Sequence, residues 1–318
     1  MINKSINKTG ESGIIDRRNL LKLSGLSIIA KVAPVLSDTT IIKKLKKNVC
    51  KNDIIKQSIC YWCYQKFWDI NKVCRVANDL GIMSIELIPV QYWNIIRKHK
   101  LTCALVGSHS FEVGMNNVNN HAKLIEEIQR KIDLCSEYRF PNVLTFTGFG
   151  NDITKEEGMK NCIIGYKKII GCAERKKVNL CLEMLNSRVT DNDLKGHPGY
   201  QGDHIDYCID IIKGVGSNRM KLLFDIYHAQ IMDGDLISRI RQYKEYIGHY
   251  HTAGNPGRNE LDSEQEINYR AIFNEIYKTG YKGYIGHEFL PTKDPFTSLK
   301  HAVELCNNSY NNNIILMK

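Results

Sequence analysis

Glu183, Asp225, His251 and Glu288 each close a short apolar run that reads as a buried β-strand, and successive members lie 42, 26 and 37 residues apart. Such spacings fit consecutive βα units. If the four strands are neighbours in one parallel barrel, their ends meet at its C-terminal mouth, where barrel enzymes do their chemistry. Taken singly, each residue has a plainer explanation. Glu183 could pair with Arg188, Asp225 could cap the following helix, His251 could be a core histidine, and Glu288 could be an ordinary strand-end carboxylate. Their joint placement reverses the balance, because carboxylates packed together without a cation repel strongly. A divalent metal resolves the repulsion. Oxygen-rich ligation with one nitrogen favours Mn2+ or Mg2+, with Co2+ and Zn2+ as alternatives.

The elements that must position these residues follow from hydrophobic periodicity. Strands are expected at 57–63, 83–87, 101–106, 142–147, 179–183, 221–225, 246–251 and 283–288. Helical patterns fall between and after them, at 70–80, 91–100, 121–136, 155–177, 204–213, 236–243, 267–279 and 295–306. Continuous apolar strands such as Val143-Leu144-Thr145-Phe146 suit a parallel sheet covered on both faces. Eightfold alternation predicts an α/β protein with a single (β/α)8 TIM barrel over 51–318. A doubly wound nucleotide-binding sheet is disfavoured, since the first strand runs into Cys63-Tyr64-Gln65-Lys66 instead of a G-x-G-x-x-G turn.

The 318 residues carry a formal charge of +10, and its location decides what it means. Residues 1–50 hold ten Lys/Arg against three Asp/Glu, which leaves only +3 for the rest. Steering of nucleic acid by the folded part therefore has little support. The leader, 1–50, contains Arg17-Arg18, an apolar stretch from Leu23 to Ala30 and then Lys31, an order that resembles a twin-arginine export signal. It implies export, to the periplasm in a cell that has one; a basic amphipathic helix on a cytoplasmic protein is the alternative. The apolar stretch is too short for a membrane span. Eleven cysteines without framework spacing argue against a disulfide scaffold. Cys60-Tyr61-Trp62-Cys63 has redox-motif spacing but reads as strand, not as a helix start.

Four segments carry a family resemblance: Leu182-Glu183-Met184-Leu185-Asn186-Ser187, Phe224-Asp225-Ile226-Tyr227-His228, Gly248-His249-Tyr250-His251 with the loop running to Arg258, and Gly286-His287-Glu288-Phe289. In that order they resemble hydroxypyruvate isomerase-like proteins of the xylose isomerase-like TIM-barrel superfamily, from about Gln57 to Pro291. The resemblance implies that Glu183, Asp225, His251 and Glu288 hold the metal, that Glu183 and Glu288 act as the acid/base pair, and that His228 and Arg258 contact substrate oxygens. One departure bears on the substrate. In hydroxypyruvate isomerase proper a glutamine commonly stands at the position of His251, whereas ketose 3-epimerases carry histidine there.

The implied chemistry is physically coherent. A metal chelated by a carbonyl and the adjacent hydroxyl acidifies the intervening C–H, and two carboxylates on opposite faces can then shuttle one proton. Hydroxypyruvate would give tartronate semialdehyde; a ketose would invert at one carbon. An endonuclease IV-like repair enzyme and a non-catalytic exported sugar-binding protein are the more distant alternatives. Partners are expected to be a small hydroxy-carbonyl or sugar substrate, with a homo-oligomer as the usual association of barrel isomerases. Weaker mouth candidates are Glu86, His109, Thr147, Tyr61, Trp62 and Phe149, with His197-Pro198-Gly199-Tyr200 as a lid. His249, two residues before His251 on the same strand face, is the rival ligand.

Overall fold

The computed structural model describes residues 55–190 and 195–316. The leader and its expected export signal lie outside the described residues. Among the described residues, seven strands form one all-parallel sheet: β1 (Lys56–Cys60), β2 (Ser84–Glu86), β3 (Asn142–Thr145), β4 (Asn179–Glu183), β5 (Met220–Asp225), β6 (Ile247–Thr252) and β7 (Tyr284–His287). Their order is β2-β1-β7-β6-β5-β4-β3. The strands are buried nearly throughout, as a sheet covered on both faces requires.

The helices are α1 (Tyr61–Tyr64), α2 (Ile70–Leu80), α3 (Trp93–Lys98), α4 (His121–Tyr138), α5 (Lys155–Lys176), α6 (Ile205–Val215), α7 (Ile226–Met232), α8 (Leu236–Tyr243), α9 (Tyr269–Lys278) and α10 (Pro295–Leu316). Local signals explain their limits. The Asp69 carboxylate accepts from the Lys72 N–H at the start of α2, and Gly81 ends it with φ +73°. Thr154 caps α5, with Glu156 and Glu157 in its first turn and Arg175 and Lys176 in its last, so that the charges oppose the helix dipole. The C-x-x-C segment departs from expectation: Cys60 ends β1, but Tyr61 to Cys63 turn into α1. All ten described cysteines, Cys60 and Cys63 included, are buried and free.

Of the eight expected strands, the one at 101–106 does not form a regular ladder. It instead closes the barrel through isolated bridges, Thr102 to Ser84 of β2 and Val106 to Val143 of β3. Between these bridges the Ala104 backbone is held by side chains. Its N–H donates to Ser84 Oγ (2.7 Å), and its carbonyl accepts from Asn142 Nδ2 (2.9 Å). Asn142 Oδ1 accepts in turn from Asn179 Nδ2 (2.9 Å), and Asn179 Oδ1 accepts from Arg219 Nη1 (3.0 Å). Two buried polar side chains thus replace the ladder bonds that the irregular strand lacks, as buried backbone groups demand.

The register sets the level of the barrel mouth. Cys60 lies opposite Glu86, Asp225 opposite His251, and His251 opposite Gly286. Among the described residues, no helix is long and apolar enough to cross a membrane.

Because Ser84 and Asn142 stand in for ladder bonds, truncating either leaves a buried backbone group of Ala104 unsatisfied. Ser84→Ala and Asn142→Ala are each expected to cost about 1–3 kcal/mol in urea unfolding, with Asn142→Ala the larger because it also strands Asn179. A loss below about 0.5 kcal/mol for both, the range of ordinary surface changes, would show that the barrel closes without them.

Candidate active site

The four strand-end residues converge. Glu183 ends β4, Asp225 ends β5, His251 is the penultimate residue of β6, and Glu288 lies one residue past β7, not within it. All four are buried, and one ligand atom from each lies within 4.8 Å of the others. His251 Nδ1 is the centre of the group, 2.8 Å from Glu288 Oε2, 3.5 Å from Glu183 Oε1 and 3.9 Å from Asp225 Oδ2. It nevertheless has no hydrogen-bond partner, because Glu288 lies off the direction a bond would need.

Asp225 performs two tasks with its two oxygens. Oδ1 caps α7, accepting from the Tyr227 and His228 N–H groups (2.8 and 3.1 Å), while Oδ2 faces the tetrad. Helix capping, the plainer sequence reading, therefore coexists with membership of the cluster. Glu288 is held from three sides: Trp62 Nε1–H donates to Oε1 (2.8 Å), Arg258 Nη2 to Oε2 (2.6 Å), and His251 lies against the same Oε2. Glu183 is held mainly through its backbone, whose carbonyl accepts from the Tyr200 hydroxyl (2.7 Å).

Arg258 reaches the site because of its loop. Gly257 and Arg258 take φ +93° and +57°, and the Arg258 carbonyl accepts from the Leu290 N–H (2.7 Å), two residues beyond Glu288. The guanidinium lies over the rings of Trp62 (5.3 Å) and Tyr227 (5.8 Å). His228 is fully buried and has a definite tautomer. Its Nδ1 faces the Asn186 backbone N–H (3.2 Å) and the Asn186 side-chain amide (2.6 Å), so Nδ1 accepts and Nε2 carries the proton. That Nε2 lies 3.7 Å from Asp225 Oδ2 and is otherwise unpartnered.

The electrostatics divide the carboxylates. Burial pushes the Glu183 carboxyl up to about 7 and that of Asp225 up to about 6. Burial acts the same way on Glu288, but the His251 and Arg258 charges outweigh it and hold this carboxyl well below its ordinary range. Burial disfavours a charged His251, yet Glu288 and its other neighbours raise it well above the usual imidazole value. Burial keeps His228 neutral. An orphaned imidazole nitrogen aimed at three buried carboxylates, two of them reluctant to ionise, is a donor set that fits a divalent cation.

A cavity of about 190 Å³ opens on the cluster, lined by Glu183, Arg258, Glu288 and His197 and walled by Trp62, Leu87, Phe111, Leu144, Phe146 and Leu185. Of the weaker sequence candidates, Trp62 and His197 line it. Thr147 Oγ1 is instead occupied in accepting from the Gly202 N–H (2.9 Å), and the His109 Nδ1 faces Ser108 (2.7 Å). Tyr61 packs edge-on against Tyr92, and Phe149 sits against Phe111 behind the wall. His249 is not in the tetrad; its Nε2 lies 3.0 Å from Glu86 Oε1. Glu86 sits behind His251 and does not line the cavity. Asn186 and Tyr200 were visible in the sequence only as members of a motif and a lid, because their roles depend on partners about 40 and 53 residues away, His228 and Thr147.

Known proteins place this arrangement in context. A family model described as xylose isomerase-like TIM barrel matches residues 74–308. A Homo sapiens protein named "Putative hydroxypyruvate isomerase" is 37% identical over 118 residues, 37% of this chain and 40% of that protein, so the alignment spans less than half of the relative's length. A 2-oxo-tetronate isomerase of Pectobacterium atrosepticum is 29% identical over 232 residues, 68% of this chain and 85% of the relative. Among solved structures, a family 2 AP endonuclease from Brucella melitensis superposes with a TM-score of 0.68 at 20% identity, covering 77% of this chain and 96% of its own. An L-ribulose 3-epimerase does so with 0.67 at 18%, covering 83% and 98%. These two likenesses concern the fold.

Protonated Glu183, Asp225 and His251 would each have to release a proton to solvent before binding a cation, so protons compete with metal. Affinity for Mn2+ is expected to rise from pH 5 to pH 8, by about tenfold or more per pH unit below the carboxyl values near 6 and 7. Calorimetry in buffers of different ionisation heat should register proton release on binding. Affinity independent of pH across that window would contradict the tetrad as the binding site.

Proposed function

The chain belongs to the xylose isomerase-like TIM barrel family, and on that premise we propose that it is a metal-dependent isomerase of a small hydroxy-carbonyl compound. The preferred reaction is conversion of hydroxypyruvate to tartronate semialdehyde. The observation that carries the reading is the convergence of three carboxylates and one imidazole, with ligand atoms within 4.8 Å, on a small cavity that also holds a guanidinium.

Glu183, Asp225, His251 and Glu288 are the residues that would hold the cation. When bound, the ion would supply Lewis acidity to a substrate carbonyl and lower the cost of removing the neighbouring proton. Glu183 and Glu288 form the acid/base pair. Their environments differ: burial raises the Glu183 carboxyl, which favours its taking up a proton, while the His251 and Arg258 charges outweigh burial and favour the ionised form of Glu288. Arg258 lines the cavity and offers a planar set of donors to a substrate carboxylate or hydroxyl; His228, which the resemblance also assigned to the substrate, does not line the cavity, and its Nε2–H faces Asp225 Oδ2 at 3.7 Å. The apolar wall of Trp62, Leu87, Phe111, Leu144, Phe146 and Leu185 offers a hydrophobic surface to the carbon skeleton of a small substrate.

Ketose 3-epimerisation is the second reading, favoured by the imidazole at position 251 where hydroxypyruvate isomerases commonly carry glutamine. The same pair of glutamates would serve it, with the proton removed from and returned to one carbon.

Purified protein supplied with Mn2+, Mg2+ or Co2+ is expected to isomerise hydroxypyruvate, with a ketose panel as the comparison. Glu183→Gln and Glu288→Gln should each lower turnover by about 10²–10⁴-fold while the protein remains folded. Absence of turnover on every substrate with every metal would sink the isomerase reading; ketose turnover alone would replace hydroxypyruvate by the second reading. The leader supports export through a twin-arginine-type route. Arg17→Lys with Arg18→Lys is expected to trap the protein in the cytoplasm, and unchanged export in a fractionation assay would refute that route.

A further inference from the structure

Behind the tetrad lies a second buried polar group that the proposed reaction does not use. Glu86, the last residue of β2, is fully buried, and its Oε1 collects three contacts: His251 Nε2 at 2.9 Å, His249 Nε2 at 3.0 Å and Cys60 Sγ at 3.2 Å. The structure brings it inward by an unusual turn. Leu87, immediately after it, has φ +51°, which breaks the alternation of a strand and lets Leu87 line the cavity while Glu86 reaches behind it. The space is also specific. A Cβ on Gly286 would fall 2.0 Å from Glu86 Oε1 and 2.9 Å from His251 Cδ2, so the glycine on β7 makes room for the pair.

We infer that Glu86 is a positioning residue for the candidate metal centre: its carboxylate fixes a proton of His251 on Nε2, so that Nδ1 is the nitrogen that gives up its proton and presents a lone pair to a cation held with Glu183, Asp225 and Glu288. The inference rests on the tetrad as the metal site. An ionised carboxylate can only accept, so each of the two imidazoles must turn an N–H toward Glu86 Oε1. For His251 that leaves Nδ1, the atom without a hydrogen-bond partner, as the one that faces the tetrad. A carboxylate behind a ligating histidine both fixes the ring and makes it a stronger base.

Cys60, Glu86 and His251 also satisfy the spacing of a metal group in their own right. The hydrogen-bond chemistry explains their proximity without one. The Cys60 thiol is pushed well up by burial and by Glu86, so it remains an S–H donor, and His251 cannot give Nε2 to a second cation while that nitrogen carries its proton.

Glu86→Gln in the full chain tests the inference without any assay of turnover. Co2+ titrated into wild type and variant, followed by its visible absorption, is expected to bind the variant about 10–100-fold more weakly. The His251 ring of the Zn2+-loaded wild type should show a proton on Nε2 and metal on Nδ1 in long-range 15N–1H spectra, and the Nε2–H signal should shift upfield in Glu86→Gln. Equal Co2+ affinity within about threefold, together with an unchanged ring signal, would overturn the role of Glu86 while leaving the tetrad intact. If wild type binds no Co2+, the tetrad reading and this inference fall together. Should Glu86→Gln not fold, Glu86→Asp, which keeps the charge but withdraws it from His251, is expected to weaken Co2+ at least about tenfold; wild-type affinity in that variant would refute the inference.

Discussion

Everything at the barrel mouth depends on the compensation of buried negative charge. Glu86, Glu183, Asp225 and Glu288 are at most 4% exposed, and the cations among them are His251 and Arg258, buried just as deeply. A carboxylate in such a place is costly unless it is paired and hydrogen-bonded, and each of the four meets that demand differently. Glu288 has Arg258 and Trp62, Asp225 has the first N–H groups of α7, and Glu86 has two imidazoles and a thiol. Glu183 has the least. Burial is what pushes the Glu183 and Asp225 carboxyls up, with the neighbouring carboxylates adding to it, and a divalent cation suits the negative charge that remains.

His251 is the hinge between two charge systems. One nitrogen faces the three carboxylates of the mouth, and the other faces Glu86 in the barrel interior. Register makes this possible, because β6 is flanked by β5 with Asp225 opposite His251 and by β7 with Gly286 opposite it. The missing side chain at Gly286 is what admits Glu86 from two strands away. A barrel therefore does more than gather strand ends: it brings β2 and β6 across its centre, a contact spanning 165 residues of chain.

Much of this was legible along the chain. The 3.6 periodicity located α2 and α8 to the residue, and the strand-end positions of Glu183 and Asp225 were correct, since apolar runs of strand length set between helical patterns fit strands buried on both faces. The segment at 101–106 has the same apolar character but forms only bridges, because Ser84 and Asn142 satisfy Ala104 in place of a ladder. The 61–63 segment read as strand from its apolar residues, yet turns into α1 and carries Trp62 to Glu288. Short apolar runs do not distinguish strand from a single helical turn.

The sequence by itself determined the alternation that builds a barrel, the four residues whose types could share a cation and the loop running from His251 to Arg258. Those are properties of composition and spacing, which act locally. Tertiary structure alone decided that Glu86 and His249 stand behind the cluster, that Arg258 pairs with Glu288, and that Asn186 sets the tautomer of His228. These outcomes depend on the positive φ of Leu87 and Arg258 and on the register across β5, β6 and β7. A one-residue change in register would turn the strand residues involved, Glu86, His249 and His251, to the other face of the sheet, and strands that are apolar on both faces carry little alternation to fix that choice.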